Sequence, residues 1–413
     1  MSFNKYQKLI LIFSDRLFSL EEDFSLLHYL SWKPHIKEDF IKSGYKKFPQ
    51  ISSKDFIDIP NGYIDNKLTE INKFIKDLKS TELSNEPIGE LLIDIATNLY
   101  NSVLMVNSRG TDKLYLISKK LYGHPNQTIP NSSITILEVA KKLDSILTKT
   151  DPKDYKSISS KELATELKQK ISKHFNEEDK PKIILTQNMD SDCAVSNDSL
   201  YIRTNGKFIE QDVDMLFVHE ILTHYISFTN AKQQNNCKWL SVPLPQTEIL
   251  QEGLSVFNEI LTKKTYPKRL KKIVNRVLAI DKAENGISFQ ELFEWHKEKS
   301  MDEKSACNST ERVFKGCQTN GRGYCFTRDI TYLKGFILVY LFIENCLRNN
   351  EEDLLQQLFN GHTTFSYLPV MKQLEHEGII KAPKYIPSFY RDKEKLTELI
   401  NDNKLIGIIK KMI

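Results

Sequence analysis

Apolar residues recur at helical spacing along the first 175 residues of the chain. Steps of three and four residues place the apolar side chains on one face of a helix. Turn-rich pieces such as GHPNQTIPNSS separate the helical segments. The pattern predicts a helical N-terminal subdomain over residues 1–175. Its helical segments are residues 5–30, 63–78, 88–106, 132–147 and 159–175.

The pattern changes after the charged connector NEEDKPK. The runs IILTQ and CAVSNDSLYIRTNGKF are typical of short strands, because in the second run Leu200 and Ile202 alternate with more polar neighbours. Asn205 and Gly206 then offer a turn. Helical spacing returns over residues 210–230 and 247–263, and the rest is helical with loops. The sequence therefore predicts a mostly helical α+β fold, with a second domain over residues 176–413 that contains a small sheet.

Composition narrows the possible functions. The chain has 413 residues with 58 basic and 54 acidic side chains, a balance that favours neither nucleic acid nor a membrane surface as partner. The apolar run 332–347 is interrupted by Lys334 and Glu344, so we expect a buried helix there. The N-terminal run LILIF is too short for a signal peptide, and the six cysteines show no C-x-x-C spacing. We expect a cytoplasmic protein with free thiols.

The stretch FVHEILTHYISFTN carries the candidate chemistry. It contains H-E-x-x-x-H (His219, Glu220, His224), one residue longer than the familiar zinc-protease signature H-E-x-x-H. In a regular α-helix, five steps of about 100° leave the two imidazoles about 140° apart, which is poor geometry for one metal. A π-turn of roughly 4.4 residues brings them within about 50°. A shared metal therefore predicts a π-turn between His219 and His224.

A third metal ligand is available downstream in TEILQEGLSVFNEIL. Glu252 begins a helical pattern there, and the adjacent Gly253 permits close approach of another element. Two histidines and one carboxylate with an open fourth position are the arrangement of a catalytic zinc site. We therefore predict one zinc ion per chain, held by His219, His224 and Glu252, with Glu220 as the catalytic base.

The motifs HEILTH, TNAKQQ and QEGLS together resemble a known family. They are similar to HEIGTH, N-x-x-Q and (Q/E)EGLA of the microtubule-associated tyrosine carboxypeptidases and of their bacterial relatives, the flavohaemoglobin expression-modulating QEGLA-motif proteins. The segments RVFKG and FTRDITYLKG extend the resemblance, which covers about residues 190–390. Ser255 stands where the family box has alanine, and Leu222 where it has glycine.

The resemblance implies a zinc metallopeptidase with a thermolysin-like core. The expected activity is that of a carboxypeptidase, which removes a C-terminal residue, possibly tyrosine, from a protein or peptide. If the host is eukaryotic, the substrate is expected to be tubulin-like.

A carboxypeptidase must also hold the free carboxylate of its substrate with a fixed cation or several donors. The candidates are Arg203 on a presumed edge strand, Arg312 and Arg328. Tyr332 is a candidate donor to the tetrahedral oxyanion.

Two alternatives remain. The chain is either the carboxypeptidase described above or a catalytically idle zinc-binding regulator whose helical subdomain binds a partner. Retention of Glu220 favours the enzyme, because an idle regulator has no chemical need for a base beside the metal. Within enzymes, the alternative is an endopeptidase or amidase that acts on another substrate.

Overall fold

The computed structural model describes residues 4–147, 155–187, 189, 191–196, 198–299 and 301–413. It is mostly helical with a small sheet, as the α+β prediction requires. The α-helices are α1 (Lys5–Glu21), α2 (Leu26–Tyr29), α3 (Pro34–Lys42), α4 (Tyr63–Lys79), α5 (Pro87–Asn107), α6 (Asp112–Tyr122), α7 (Ile136–Leu147), α8 (Ser160–Ile171), α9 (Glu210–Leu216), α10 (Ile226–Lys232), α11 (Pro245–Leu261), α12 (Pro267–Glu284), α13 (Phe289–Glu298), α14 (Glu303–Phe314), α15 (Thr331–Asn349), α16 (Glu352–Gln357), α17 (Leu368–His376), α18 (Lys393–Asn401) and α19 (Lys404–Met412). A π-helix, Phe217–Tyr225, joins α9 to α10.

Local sequence signals explain several helix boundaries. Proline at the first position opens α5, where its missing N–H removes no helical hydrogen bond. Ser159 and Glu162 form a capping box at the start of α8, each side chain bonding the backbone of the other residue. The predicted segment 5–30 divides into α1 and α2, whereas the segments 63–78 and 88–106 closely match α4 and α5.

Two small sheets account for the strands. In the three-stranded sheet β4 (Ser199–Arg203) lies between β2 (Lys182–Thr186), to which it is parallel, and β3 (Cys193–Ser196), to which it is antiparallel. Within β4 the side chains of Leu200 and Ile202 are buried, as their alternation predicted. β1 (Ser157–Ile158) pairs antiparallel with β5 (Phe208–Ile209). The expectation that Arg203 lies on an edge strand is wrong, because β2 pairs with β4 along its whole length and makes it central.

By packing, the chain divides into two compact units. The first unit comprises residues 1–141, 244–246 and 274–331, and the second comprises residues 142–243, 247–273 and 332–413. This grouping follows spatial contacts, and the boundary at residue 175 stays a prediction about domain organisation. The core of the first unit includes an aromatic cluster in which the ring of Phe40 lies 5.7 Å from that of Phe289 and 5.3 Å from that of Phe293.

In the second unit α11 and α15 touch backbone to backbone. A Cβ atom added to Gly253 would lie 2.2 Å from the carbonyl carbon of Gly335, and one added to Gly335 would lie 2.1 Å from the carbonyl oxygen of Ile249. Only glycine fits at both positions, because real Cβ atoms do not approach so closely. The close approach expected at Gly253 is therefore confirmed, and it brings the residues beside both glycines together.

The apolar helix α15, with the turn that precedes it, is long and apolar enough to span a bilayer by length and composition. Of its most apolar window, 61% is buried inside the protein, as in the core helices of folded domains. A single helix of this kind is weak evidence for a membrane span. The six cysteines are free thiols and all are buried.

Candidate metal centre and active site

The H-E-x-x-x-H motif lies on the π-helix, so the predicted widening of the turn is confirmed. The imidazole centroids of His219 and His224 are 4.9 Å apart, with the ring planes at 81°. The Thr223 hydroxyl donates to the carbonyl oxygen of Val218, five residues earlier, at 3.0 Å. This bond matches the i to i−5 period of a π-helix. Because the turn is widened and the imidazoles are only 4.9 Å apart, both histidines face the same side of the helix.

Glu252 on α11 completes the cluster. Its Oε2 atom lies 3.5 Å from Nε2 of His219 and 3.8 Å from Nε2 of His224. One ligand atom from each of the three residues lies within 4.8 Å of the other two. The contact between Gly253 and Gly335 places Tyr332 on α15 beside this carboxylate, and the Tyr332 hydroxyl donates to Glu252 Oε1 at 3.1 Å. The second oxygen of Glu252 therefore faces the histidines.

The geometry of these three groups fits a tetrahedral metal ion. Two ligand atoms that are each 2.0–2.1 Å from a tetrahedral zinc ion lie roughly 3.3–3.4 Å apart. The separations of 3.5 and 3.8 Å between Glu252 and the histidines are only slightly longer. His219 is buried, and the side chains of His224 and Glu252 are 21% and 14% exposed. Two imidazoles and one carboxylate form a donor set that can hold zinc and leave one position open.

The electrostatics of the cluster also favour a cation. Burial alone would lower the pKa of His219, but hydrogen bonds to the carboxylates of Glu252 and Glu259 raise it to about 9. Burial lowers the pKa of His224 to about 4, so this imidazole is neutral at pH 7, as a metal ligand must be. The carboxylates therefore stabilise positive charge at His219, whereas His224 offers an uncharged lone pair.

Glu220 follows the first histidine on the π-helix and is 8% exposed. Burial raises the pKa of its carboxyl to about 7, with a further rise from the charge of Glu252 and an opposing effect of His219. A general base works best when its pKa lies near the working pH. The burial of Glu220 thus gives it a suitable proton affinity.

The sequence of the chain matches a known family over most of its length. The sequence model described as microtubule-associated tyrosine carboxypeptidase matches residues 38–405. The chain belongs to this family. A comparison with curated proteins gives no match. The family match confirms the resemblance carried by the motifs and extends it into the helical N-terminal part.

In this member of the microtubule-associated tyrosine carboxypeptidase family, the predicted substrate cations have partners of their own. Arg203 donates through Nε to Asp192 Oδ1 at 3.1 Å and through Nη2 to the carbonyl oxygen of Ser191 at 2.9 Å. Arg312 lies in the first unit and binds the buried Asp329 with two hydrogen bonds of 2.7 and 2.5 Å. Arg328 is next to Asp329 in the chain. Their roles toward substrate stay predictions.

The polar groups behind the two histidines were not predicted from the sequence. Glu259 lies 2.7 Å from His219 Nδ1, and Gln251 Oε1 lies 3.4 Å from His224 Nδ1. The hydroxyl of Ser255 lies 3.2 Å from His224 Nε2 and donates to the carbonyl oxygen of Gln251 at 3.0 Å. Glu259 follows Glu252 by seven residues, two helical turns, so helical spacing was a signal that could have revealed it.

The motif TNAKQQ holds a later segment of the chain. Asn230 donates through Nδ2 to the carbonyl oxygens of Phe359 and Tyr385, and it accepts from the backbone N–H of Tyr385 at 3.0 Å. Gln234 likewise donates through Nε2 to the backbone carbonyl oxygen of Lys381 at 2.9 Å and accepts from its backbone N–H at 2.8 Å. These hydrogen bonds hold the backbone of the later segment against the motif within the second unit.

Proposed function

We propose that this chain is a zinc-dependent carboxypeptidase that removes a C-terminal residue from a protein or peptide. The observation that carries the proposal is the convergence of His219, His224 and Glu252 on one point, with Glu220 on the same π-helix. The family to which the chain belongs is described as a tyrosine carboxypeptidase. The arrangement of a histidine-bearing helix, a carboxylate on a second helix and a small sheet supports a thermolysin-like core.

His219, His224 and Glu252 would hold the metal, each through one atom. A bound zinc ion supplies a Lewis acid that polarises water and the scissile carbonyl group. Tyr332 keeps the Glu252 carboxylate oriented through its hydrogen bond to Oε1. The three ligands come from two helices that are fixed by their own packing, as precise positioning of a metal requires.

Glu220 would transfer the proton in both halves of the reaction. As a carboxylate it accepts a proton from the attacking water, and as a carboxylic acid it donates that proton to the amine that leaves. Its raised pKa, about 7, makes both transfers accessible near neutral pH. The products are a peptide shortened by one residue and a free amino acid.

Substrate recognition follows from the free carboxylate that only a chain end carries. A guanidinium binds such a carboxylate with two parallel hydrogen bonds. Arg203, Arg312 and Arg328 remain our candidates for this cation, and the family description favours a C-terminal tyrosine, on tubulin if the host has microtubules. Tyr332 remains a candidate donor to the oxyanion, a role in which its single hydroxyl proton would turn from Glu252 to the oxyanion.

The decisive experiment compares the parent protein with Glu220→Gln on peptides that differ in their C-terminal residue. The products are identified by mass spectrometry, and the bound zinc is measured in the same samples. We expect the parent to remove single C-terminal residues and Glu220→Gln to retain zinc while losing about 10²- to 10⁴-fold in rate, because an amide cannot accept the proton.

Three outcomes would contradict parts of this proposal. Cleavage within the peptides would indicate an endopeptidase. Trimming by Glu220→Gln at the parent rate would show that Glu220 is not the base. A parent protein that binds zinc but trims no peptide would favour the regulatory alternative.

A further inference from the structure

A buried ion pair lies directly behind one of the three proposed metal ligands. Glu259 on α11 is fully buried, and its Oε1 atom is 2.7 Å from Nδ1 of His219. The other imidazole nitrogen, Nε2, faces Glu252 at 3.5 Å. Glu252 and Glu259 thus contact opposite edges of one ring. They do so from the same helix, because they are two turns apart.

Arg269 on α12 binds both oxygens of the Glu259 carboxylate. Its Nε atom donates to Oε2 at 3.1 Å and its Nη2 atom to Oε1 at 2.8 Å. The guanidinium side chain is only 11% exposed. The carboxylate therefore has a counter-charge and a fixed orientation.

We infer that Glu259 and Arg269 are positioning residues, which fix the tautomer and ring orientation of His219 for metal binding. The inference rests on the proposed function, since it assigns the pair a purpose at the zinc site. The Glu259 carboxylate, paired with Arg269, only accepts hydrogen bonds, so Nδ1 of His219 must carry a proton, and Nε2 is the nitrogen that can give up its own proton and bind a metal. The lone pair then faces Glu252, where a metal would bind.

The pair also distinguishes the two histidines. His219 is supported by a carboxylate at 2.7 Å, whereas the Nδ1 atom of His224 faces only the neutral amide oxygen of Gln251 at 3.4 Å. A hydrogen bond to a charged acceptor is roughly twice as strong as one between neutral groups. The orientation of the His219 imidazole is consequently fixed more strongly than that of His224.

The pair explains why a full charge can be buried behind a metal ligand. A lone carboxylate in that place would carry a large desolvation penalty, which the two hydrogen bonds and the charge of Arg269 offset. Nη2 of Arg269 also lies 3.4 Å from Nδ1 of His219. A guanidinium that close cannot accept a hydrogen bond, so it adds no alternative partner for the protonated nitrogen.

The test measures zinc affinity by competition with a chelator in the full-length protein. Glu259→Gln keeps the size of the side chain but turns an amide group toward Arg269, which has no acceptor to offer it. We expect a 10- to 100-fold weaker zinc affinity, the usual cost of losing a group that orients a ligand. With cobalt in place of zinc, the visible absorption bands should shift, because the ligand geometry changes.

Two further variants separate positioning from folding. Arg269→Lys keeps the charge but loses the bidentate contact with Glu259. Its zinc affinity should lie between those of the parent and Glu259→Gln. Tyr266→Phe is the matched control, because Tyr266 lies three residues before Arg269 and its half-buried hydroxyl donates to Asp212 at 2.5 Å. It should lower thermal stability and leave the zinc affinity unchanged.

The outcomes distinguish the two proposals. If the parent binds one zinc ion and folded Glu259→Gln binds it equally well, the positioning role is refuted and the proposed function stands. If Glu259→Gln does not fold, Arg269→Lys decides the matter in the same way. A parent that binds no zinc would refute both. If Tyr266→Phe and Glu259→Gln lose equal zinc affinity, Glu259 and Arg269 only stabilise the fold, and the positioning role is refuted.

Discussion

The two units each bury a cluster of charged side chains, and the clusters are opposite in sign. In the first unit, Asp329 accepts from Arg312 and lies 3.7 Å from Arg276, with Arg328 contributing a third positive charge nearby. In the second unit, the single guanidinium of Arg269 lies among the carboxylates of Glu220, Glu252 and Glu259. Counted without His219, whose raised pKa adds positive charge, these are an excess of two guanidiniums in the first cluster and of two carboxyl groups in the second.

The difference shows what separates a candidate site from a structural ion pair. Around Asp329 the guanidinium of Arg312 donates to the carboxylate, Arg276 and Arg328 add positive charge, and among the described residues no three metal-ligating atoms converge there. Around Glu252 the acceptors outnumber the donors, and three of them converge on one point. A divalent cation would neutralise the excess negative charge there. Burial of charge alone is therefore a poor signal of function, and convergent acceptors are a better one.

The largest expected effect is the loss of metal from the second cluster. His224→Ala leaves two protein ligands, too few to hold zinc against water, so stoichiometric binding should be abolished. Metal analysis after dialysis measures this directly. His376→Ala, which changes an exposed histidine elsewhere in the second unit, is the control and should retain zinc. Full occupancy in His224→Ala would refute the proposed ligand set.

The first cluster should respond in stability and not in metal binding. Asp329→Asn removes a buried carboxylate from guanidiniums that are partly exposed, 31% for Arg312 and 14% for Arg276, so the cost should not exceed about 3–5 kcal/mol, that of a broken buried pair. Urea unfolding measures the change in the free energy of unfolding. Asp353→Asn, which breaks an exposed pair with Lys372, should cost no more than about 1 kcal/mol. A lower zinc affinity in Asp329→Asn would mean that the two clusters are not separate in function.

Low pH should remove the contribution of the Asp329 charge to the free energy of unfolding of the parent protein. Burial alone would raise the pKa of Asp329, but Arg312 and Arg276 hold it well below its usual range. A depressed native pKa stabilises the fold above the unfolded value near pH 3.9 and loses that contribution as the pH falls through the native value. The stability difference between parent and Asp329→Asn should therefore shrink as the pH falls below about 3.9. A difference that does not change with pH would show that the charge of Asp329 is not what stabilises the unit.

The candidate metal cluster was largely predictable because the geometry that a shared metal requires constrains the spacing of its ligands in the sequence. The spacing of His219 and His224 required a π-turn, and Gly253 signalled the close approach of another helix to Glu252. Glu259 was within reach of the same reasoning, through its helical spacing from Glu252. Arg269 was not, because its contact depends on the direction that the chain takes after α11.

The partners of the candidate substrate cations could not be predicted from the sequence, for a physical reason. A sequence shows that Arg312 is a cation but not that Asp329, 17 residues later, lies against it. Similarly, the alternation in β4 predicted a strand correctly, but the order β2-β4-β3 depends on a parallel pairing that no local pattern encodes. Local spacing predicts which face of an element is buried, whereas pairing partners are decided by the tertiary fold.

The smallest expected effect concerns an uncharged network that holds the π-helix itself. Asn258 donates through Nδ2 to the Thr223 hydroxyl at 3.0 Å and accepts from the Tyr390 hydroxyl at 2.9 Å, and all three side chains are buried. Thr223→Val keeps the shape of the side chain but removes the bond to the Val218 carbonyl and the acceptor for Asn258. We expect a loss of about 1–2 kcal/mol in the free energy of unfolding.

Thr223→Ser keeps the hydroxyl and is the matched control for that loss, although it removes a buried methyl group. If the hydroxyl stabilises the wide turn, Thr223→Val should also weaken zinc binding, by less than the 10- to 100-fold expected of Glu259→Gln. The reason is that the backbone bonds of the π-helix remain, while the charged support of His219 is untouched. Parent-like unfolding and zinc affinity in Thr223→Val would show that the turn is held without its hydroxyl, and that the ligand geometry depends on the ionic pair alone.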